Sequence, residues 1–84
     1  MVYLLHFDQP LHHARHYVGF TENLEKRLET HRKGIGSKLV KAIVENGNDF
    51  VVARTWADGD RTFERHIKNQ KNGPRFCPIC QADH

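Results

Sequence analysis

The sequence predicts an α+β domain of sandwich-like type, in which a small three-stranded antiparallel sheet is flanked by three helices in the order β-β-α-α-β-α. Three observations predict it. Two short apolar and aromatic runs, Val2 to Phe7 and His16 to Phe20, stand near the N-terminus. Three later segments place apolar residues one helical turn apart between recognisable caps and stops. A third β-rich run, Asp49 to Trp56, falls between the second and third of those segments.

The first two runs read as an antiparallel hairpin with a long loop, because the stretch between them, Asp8 to Arg15, is polar and contains Pro10. Thr21 or Asn23 can cap the helix that follows, since either side chain can accept a hydrogen bond from an otherwise unpaired N–H of the first turn. In that helix Leu24 and Leu28 share the buried side, Arg27 and His31 share another stripe, and Gly34 supplies the stop. After the joint Gly34-Ile35-Gly36, Ser37 caps a second helix whose apolar face is Leu39, Val40, Ile43 and Val44, ended by Asn46-Gly47. Phe50 to Ala53 is a nearly continuous apolar run, as expected of a strand covered on both faces or placed centrally. Asp58-Gly59-Asp60 starts the third helix, with Phe63 and Ile67 pointing inward, and Asn72-Gly73-Pro74 stops it.

Eighty-four residues, 38% of them hydrophobic, suit one small domain near the lower size at which burial outweighs chain entropy. Residues 1–76 are expected to form it, with 77–84 as a C-terminal tail of the same domain. The chain lacks an apolar run approaching the roughly 20 residues that span a bilayer, and its start has neither the basic region nor the long apolar stretch of a signal peptide. A cytoplasmic protein is expected. The net charge of +3 says little about a polyanionic partner. Its distribution says more: Lys26, Arg27, Arg32, Lys33, Lys38 and Lys41 crowd one third of the chain, and Arg61, Arg65, Lys68, Lys71 and Arg75 another. If these segments share a face they attract phosphates, and binding weakens as salt rises; the same charges also suit ordinary solvated helix faces. Two cysteines are too few for a disulfide framework and fit a reducing compartment.

The hairpin carries a more specific signal. Val2-Tyr3 and Tyr17-Val18-Gly19 resemble the paired strand motifs of the GIY-YIG nuclease superfamily, with Met1 where the first glycine usually stands. The stretch from Thr21 to His31, which includes Arg27, resembles the segment that follows the second motif, and Glu64 in a later amphipathic helix completes the pattern. The resemblance covers roughly residues 1 to 76. It implies a metal-dependent endonuclease that hydrolyses DNA phosphodiester bonds to a 5′-phosphate and a 3′-hydroxyl. Tyr17 would take or orient the proton of the attacking water, Tyr3 would support it, Arg27 would bind the scissile phosphate, His31 would relay a proton or contact phosphate, and Glu64 would hold Mg²⁺ or Mn²⁺. Chemistry agrees with the residue types. A hydrolysed phosphodiester needs charge neutralised on phosphorus and on the leaving oxygen. A carboxylate is a hard ligand for magnesium, and a guanidinium presents a planar fork to phosphate. Arg27, Lys33, Lys38, Arg65 and Lys68 are the expected contacts to the DNA backbone. Each residue also has a structural role open to it: the tyrosines as half-buried strand aromatics, Arg27 paired with Asn23 or a neighbouring glutamate, Glu64 with Lys68 one turn on, His31 against the helix dipole.

The sequence departs from the family pattern in a second place. An asparagine is usual after the third helix near a Pro-Arg-aromatic segment, and here Pro74-Arg75-Phe76 leads into Cys77. Cys77-Pro78-Ile79-Cys80, with His84 four positions on, is also a zinc-knuckle spacing that offers three ligands of the four a structural site needs. His66, one of His12, His13 and His16, or a second chain would supply the fourth; a reduced pair that merely packs the chain end is the alternative. With no separate DNA-binding segment in these 84 residues, specificity is expected from a homodimer, a partner protein or the shape of branched or nicked DNA. The competing functions are a DNA-binding module of the same fold that has lost turnover and a zinc-knuckle interaction protein.

Overall fold

Six consecutive residues at the start of the chain, Val2 to Phe7, are buried, and that fixes the architecture around them. A computed structural model describes residues 1–11, 14–70 and 76–82. It contains β1 (Val2–Leu11), β2 (Ala14–Phe20), α1 (Leu24–Arg32), α2 (Lys38–Glu45), β3 (Phe50–Trp56), α3 (Arg61–Gln70) and a short α4 (Pro78–Ala82). The three strands form an antiparallel sheet in the order β2-β1-β3. The order β-β-α-α-β-α is as the sequence predicts, and α4 is an additional turn of helix within the expected tail.

Because side chains alternate across a strand, the buried run of β1 feeds two cores. Tyr3, Leu5 and Phe7 join Val40, Ile43 and Phe50, with Leu24, Leu28, Leu39 and Val44 packed alongside, so α1 and α2 cover this face. Val2 and Leu4 join Val18, Ile67 and Cys77, with Phe63, Phe76 and Ile79 alongside, so α3 and α4 cover the other. Each fully buried Leu, Ile or Phe contributes about 1.5–3 kcal/mol relative to exposure. Among the described residues no helix is long and apolar enough to cross a membrane.

The caps act as expected. Asn23, not Thr21, caps α1 by accepting from Lys26 N–H, while the Thr21 hydroxyl donates to the Asn23 carbonyl. Ser37 caps α2 and Asp60 caps α3 by the same geometry. Gly34 ends α1 at φ 78°, a left-handed conformation that a Cβ disfavours.

Two expectations need correction. The central strand is β1, not β3: Val51 on β3 is 44% exposed, and only Phe50 of that strand is buried. The more continuous apolar run thus sits at an edge, because the position of a strand is decided by which neighbours pair with it and not by its own hydrophobicity. The hairpin loop is also short. Both strands continue through the polar stretch until Leu11 pairs with Ala14, with an irregularity in register between His6 and Leu11. The stop Asn72-Gly73-Pro74 and His12, His13, Lys71, Arg75 and His84 lie outside the described residues.

Candidate active site and a second cluster

Register brings Tyr3 opposite Gly19 and Leu5 opposite Tyr17, so both tyrosines project from one face of the sheet. Gly19 makes room for the first of them. A Cβ there would come within 2.8 Å of Tyr3 Cε1 and closer still to its hydroxyl, so the Tyr3 ring lies over bare backbone. From α1, His31 completes the group. Its Nε2 is hydrogen-bonded to the Tyr3 hydroxyl at 2.8 Å, and both residues are fully buried. Tyr17 closes the cluster, its ring centre 6.1 Å from that of Tyr3 and 5.4 Å from that of His31, the latter edge-on.

Burial dominates the electrostatics of this pair. The Tyr3 phenol is held well above its ordinary range by desolvation, with Tyr17 and Glu64 adding to the rise and Arg27 opposing it. His31 is held below its ordinary range by desolvation and then by the Arg27 charge. Tyr3 is therefore a protonated phenol and His31 a neutral imidazole at pH 7. His31 Nδ1 is buried without a hydrogen-bond partner, so the ring is committed to Tyr3 through its other nitrogen.

α3 approaches the cluster from the β2 edge. Phe63 and Ile67 seat the helix in the core, which leaves Glu64 and Lys68 on the side toward Tyr17. Lys68 Nζ lies 5.5 Å from the Tyr17 ring centre and 3.4 Å from the Glu64 carboxylate. The i,i+4 pair open to Glu64 on spacing alone is therefore formed. Arg27 lines an open cleft of about 760 Å³ between the start of α1 and the start of α3, with Phe20, Asn23, Asp60 and Arg61. The Arg61 guanidinium stacks over Phe20 at 5.0 Å, a cation in this cleft that sequence reasoning counted among the basic residues and did not single out. The structure thus joins Tyr3, Tyr17, His31, Lys68 and Glu64 in one run of contacts, with Arg27 coupled to it by charge. Lys33 is at the end of α1, Lys38 borders a separate depression around Gly34 to Ser37 with Lys41, and Arg65 is exposed on α3.

A model of the GIY-YIG catalytic domain matches residues 1–75. The chain belongs to the GIY-YIG family. No curated protein and no solved structure matches it significantly. As a GIY-YIG domain the chain is a nuclease domain of a superfamily that acts on DNA.

On the opposite face lies a second cluster. His6 Nδ1, His16 Nε2 and the sulfurs of Cys77 and Cys80 all fall within 4.8 Å of one another, a grouping that can hold a metal ion. Register pairs His6 with His16 across the hairpin, and α4 brings up the cysteines. Burial, with His6 and Arg15 beside it, pushes His16 down to about 4. Of the ligands considered from sequence, Cys77, Cys80 and His16 are in this cluster; His6, hidden as one more residue of an apolar strand, was not among them. His66 is exposed on α3 and is not part of the group.

Proposed function

We propose that this GIY-YIG domain is a divalent-metal-dependent DNA endonuclease in which Tyr17 addresses the attacking water. One observation carries the reading: Tyr17 is flanked by the Lys68 ammonium, while the Tyr3–His31 hydrogen bond stands directly behind it. Glu64 fits a catalytic cation. It is a single carboxylate whose side chain is 19% exposed, and such a lone hard donor suits magnesium or manganese, which keep most of their waters. When bound, the metal supplies positive charge to the phosphate and to the departing 3′ oxygen.

The residues of the chain divide the rest of the work. Arg27, at the cleft, binds non-bridging oxygens of the scissile phosphate through its planar fork. Tyr17 orients the water and, in its phenolate form, would take its proton as oxygen attacks phosphorus. The new P–O bond forms as the bond to O3′ breaks, and the leaving oxygen takes a proton from solvent to end as a 3′-hydroxyl. Tyr3 cannot share the role of base, because burial keeps its proton in place; it acts as a fixed hydrogen-bond partner, oriented by His31. Lys68, 46% exposed, can leave Glu64 for a phosphate oxygen, and Lys33, Lys38 and Arg65 extend the backbone contacts at longer range. DNA shape, a second copy of the chain or a partner protein sets which site is cut, and the reduced cysteines suit action in the cytoplasm.

Incubation of the protein with linear, nicked and branched DNA and either magnesium or manganese tests this reading, with Arg27→Ala and Glu64→Ala alongside. Cleavage that depends on metal and is lost in both variants supports it. Undiminished cutting by both variants, or salt-sensitive binding without cutting under either metal, overturns it in favour of another site or of a binding module.

A further inference from the structure

We infer that His6, His16, Cys77 and Cys80 form a structural zinc site that clamps the C-terminal helix onto the β1–β2 hairpin. The spacing of the donor atoms carries the inference. Zinc bonds of roughly 2.3 Å to sulfur and 2.0–2.1 Å to nitrogen at the tetrahedral angle set donor atoms about 3.4 Å apart for two nitrogens and about 3.6 Å apart for nitrogen and sulfur. The two imidazole nitrogens are 3.4 Å apart. The nitrogen–sulfur separations are 3.4 Å for His6 and Cys77, 3.6 Å for His6 and Cys80, and 3.3 Å for His16 and Cys80. Those four separations match edges of a coordination tetrahedron, and the remaining two, His16 to Cys77 and Cys77 to Cys80, are within 4.8 Å.

Hydrogen bonding alone explains the cluster poorly. His6 Nδ1 faces three of the other donor atoms at once, and one nitrogen cannot satisfy three partners of which two are thiols, the weakest donors in proteins. A single cation between them satisfies all four. The donors come from two regions far apart in sequence, the two histidines from paired strands and the two cysteines from a tight Cys-x-x-Cys turn entering α4, an arrangement common to closed zinc sites. Cys77 is fully buried and belongs to the same core as Val2, Leu4, Val18 and Ile67. The clamp therefore holds together the wall against which α3 packs.

Four protein donors leave no open position, so the ion is structural and takes no part in hydrolysis. The two proposed cations also sort by ligand chemistry: two thiolates and two imidazoles select zinc over magnesium, whereas the Glu64 carboxylate does the reverse. In a domain of this size such a staple compensates for a small core. Binding converts two thiols to thiolates and releases their protons to solvent.

Metal analysis of the purified chain, expressed and handled under reducing conditions with magnesium in every buffer, should find about one zinc per chain. Exchange with cobalt should give the intense visible bands of a tetrahedral ion and a near-ultraviolet thiolate-to-metal transition. A zinc-selective chelator should lower the melting temperature while magnesium is retained, and zinc alone should restore it. Cys80→Ser should lose stoichiometric metal, whereas His16→Cys, which keeps four soft donors, should retain it and show a stronger thiolate band. Absence of metal, a weak cobalt spectrum of octahedral type, another metal in place of zinc, or a Cys77–Cys80 disulfide in the folded protein overturns the assignment. None of these readouts uses DNA cleavage, so the zinc site and the nuclease reading fail independently.

Discussion

The two faces of the sheet treat the same amino acid in opposite ways. On the α1/α2 face His31 is fully buried, has one nitrogen on Tyr3 and leaves the other without a partner. On the α3/α4 face His6 and His16 lie edge to face, 5.3 Å between ring centres, with two sulfurs beside them. The first arrangement suits a group that must stay neutral and hold a phenol in place. The second suits coordination. The difference is in what surrounds each imidazole: phenols and a guanidinium give orientation and a field, whereas thiols and a second imidazole give a complete ligand set. One strand, β1, serves both, because Tyr3 and His6 are an odd number of residues apart and so point to opposite sides.

The sharpest way to break this division is to damage one face and read the other. Glu64→Gln, or Arg27→Ala, is expected to lower the cleavage rate by about 10²–10³-fold or more, as removal of a single preorganised charge at a reacting phosphate or oxyanion does. Zinc content and melting temperature should be unchanged. His16→Cys should do the reverse, altering the cobalt spectrum while single-turnover cleavage stays near the parent value. A loss of metal in Glu64→Gln would mean that the two faces are not independent.

Gly19→Ala should have the next largest effect, and on stability first. The added methyl would overlap the Tyr3 ring, which is buried and hydrogen-bonded and has nowhere to move. Overpacking of a core in this way costs about 1–3 kcal/mol. Urea denaturation measures it, and a change within a few tenths of a kcal/mol would show that the ring is looser than its contacts suggest. Tyr3→Phe at the same contact removes only the hydroxyl, so it separates lost packing from the lost bond to His31.

What was legible in the sequence is what is local. Asn23, Ser37 and Asp60 cap their helices through bonds to N–H groups three residues on, and the spacing of Arg27 and His31 on one helical stripe needs only the helix period. The placement of β1 at the centre was not legible. Phe50 to Ala53 looks more apolar than a strand interrupted by His6, and only pairing partners distant in sequence decide which strand is covered twice. The same non-locality hid the fourth ligand. The Cys-x-x-Cys spacing announced two donors, but a single histidine in an apolar run reads as a satisfied core residue until the register sets His6 against His16. Tyr17 and Glu64 became candidates through family resemblance; the i,i+4 spacing offered the Glu64–Lys68 pair, but nothing in the Tyr17 segment indicated that Lys68 would also lie against that ring.

The smallest expected effect concerns pH, and it tests the orienting role of His31 directly. Desolvation, followed by the Arg27 charge, holds His31 below the ordinary histidine range, so below roughly pH 6.5 the unfolded chain binds a proton that the folded chain refuses. The stability this residue contributes is complete above that pH and drains away as pH falls toward its depressed folded value. The groups facing it are Tyr3, Tyr17, Phe50 and Arg27, none of them a carboxylate or a second imidazole. His16 acts with the same sign when no metal holds it, so the comparison is made in zinc-replete buffer, where coordination is common to both proteins. His31→Gln keeps a carbonyl that can accept from Tyr3 and removes the titrating ring. Urea midpoints at pH 7, 6 and 5 should then fall less steeply for the variant than for the parent. Parallel lines would mean that His31 accepts a proton in place, and a charged imidazolium beside Tyr3 would give this face of the sheet a different electrostatic design.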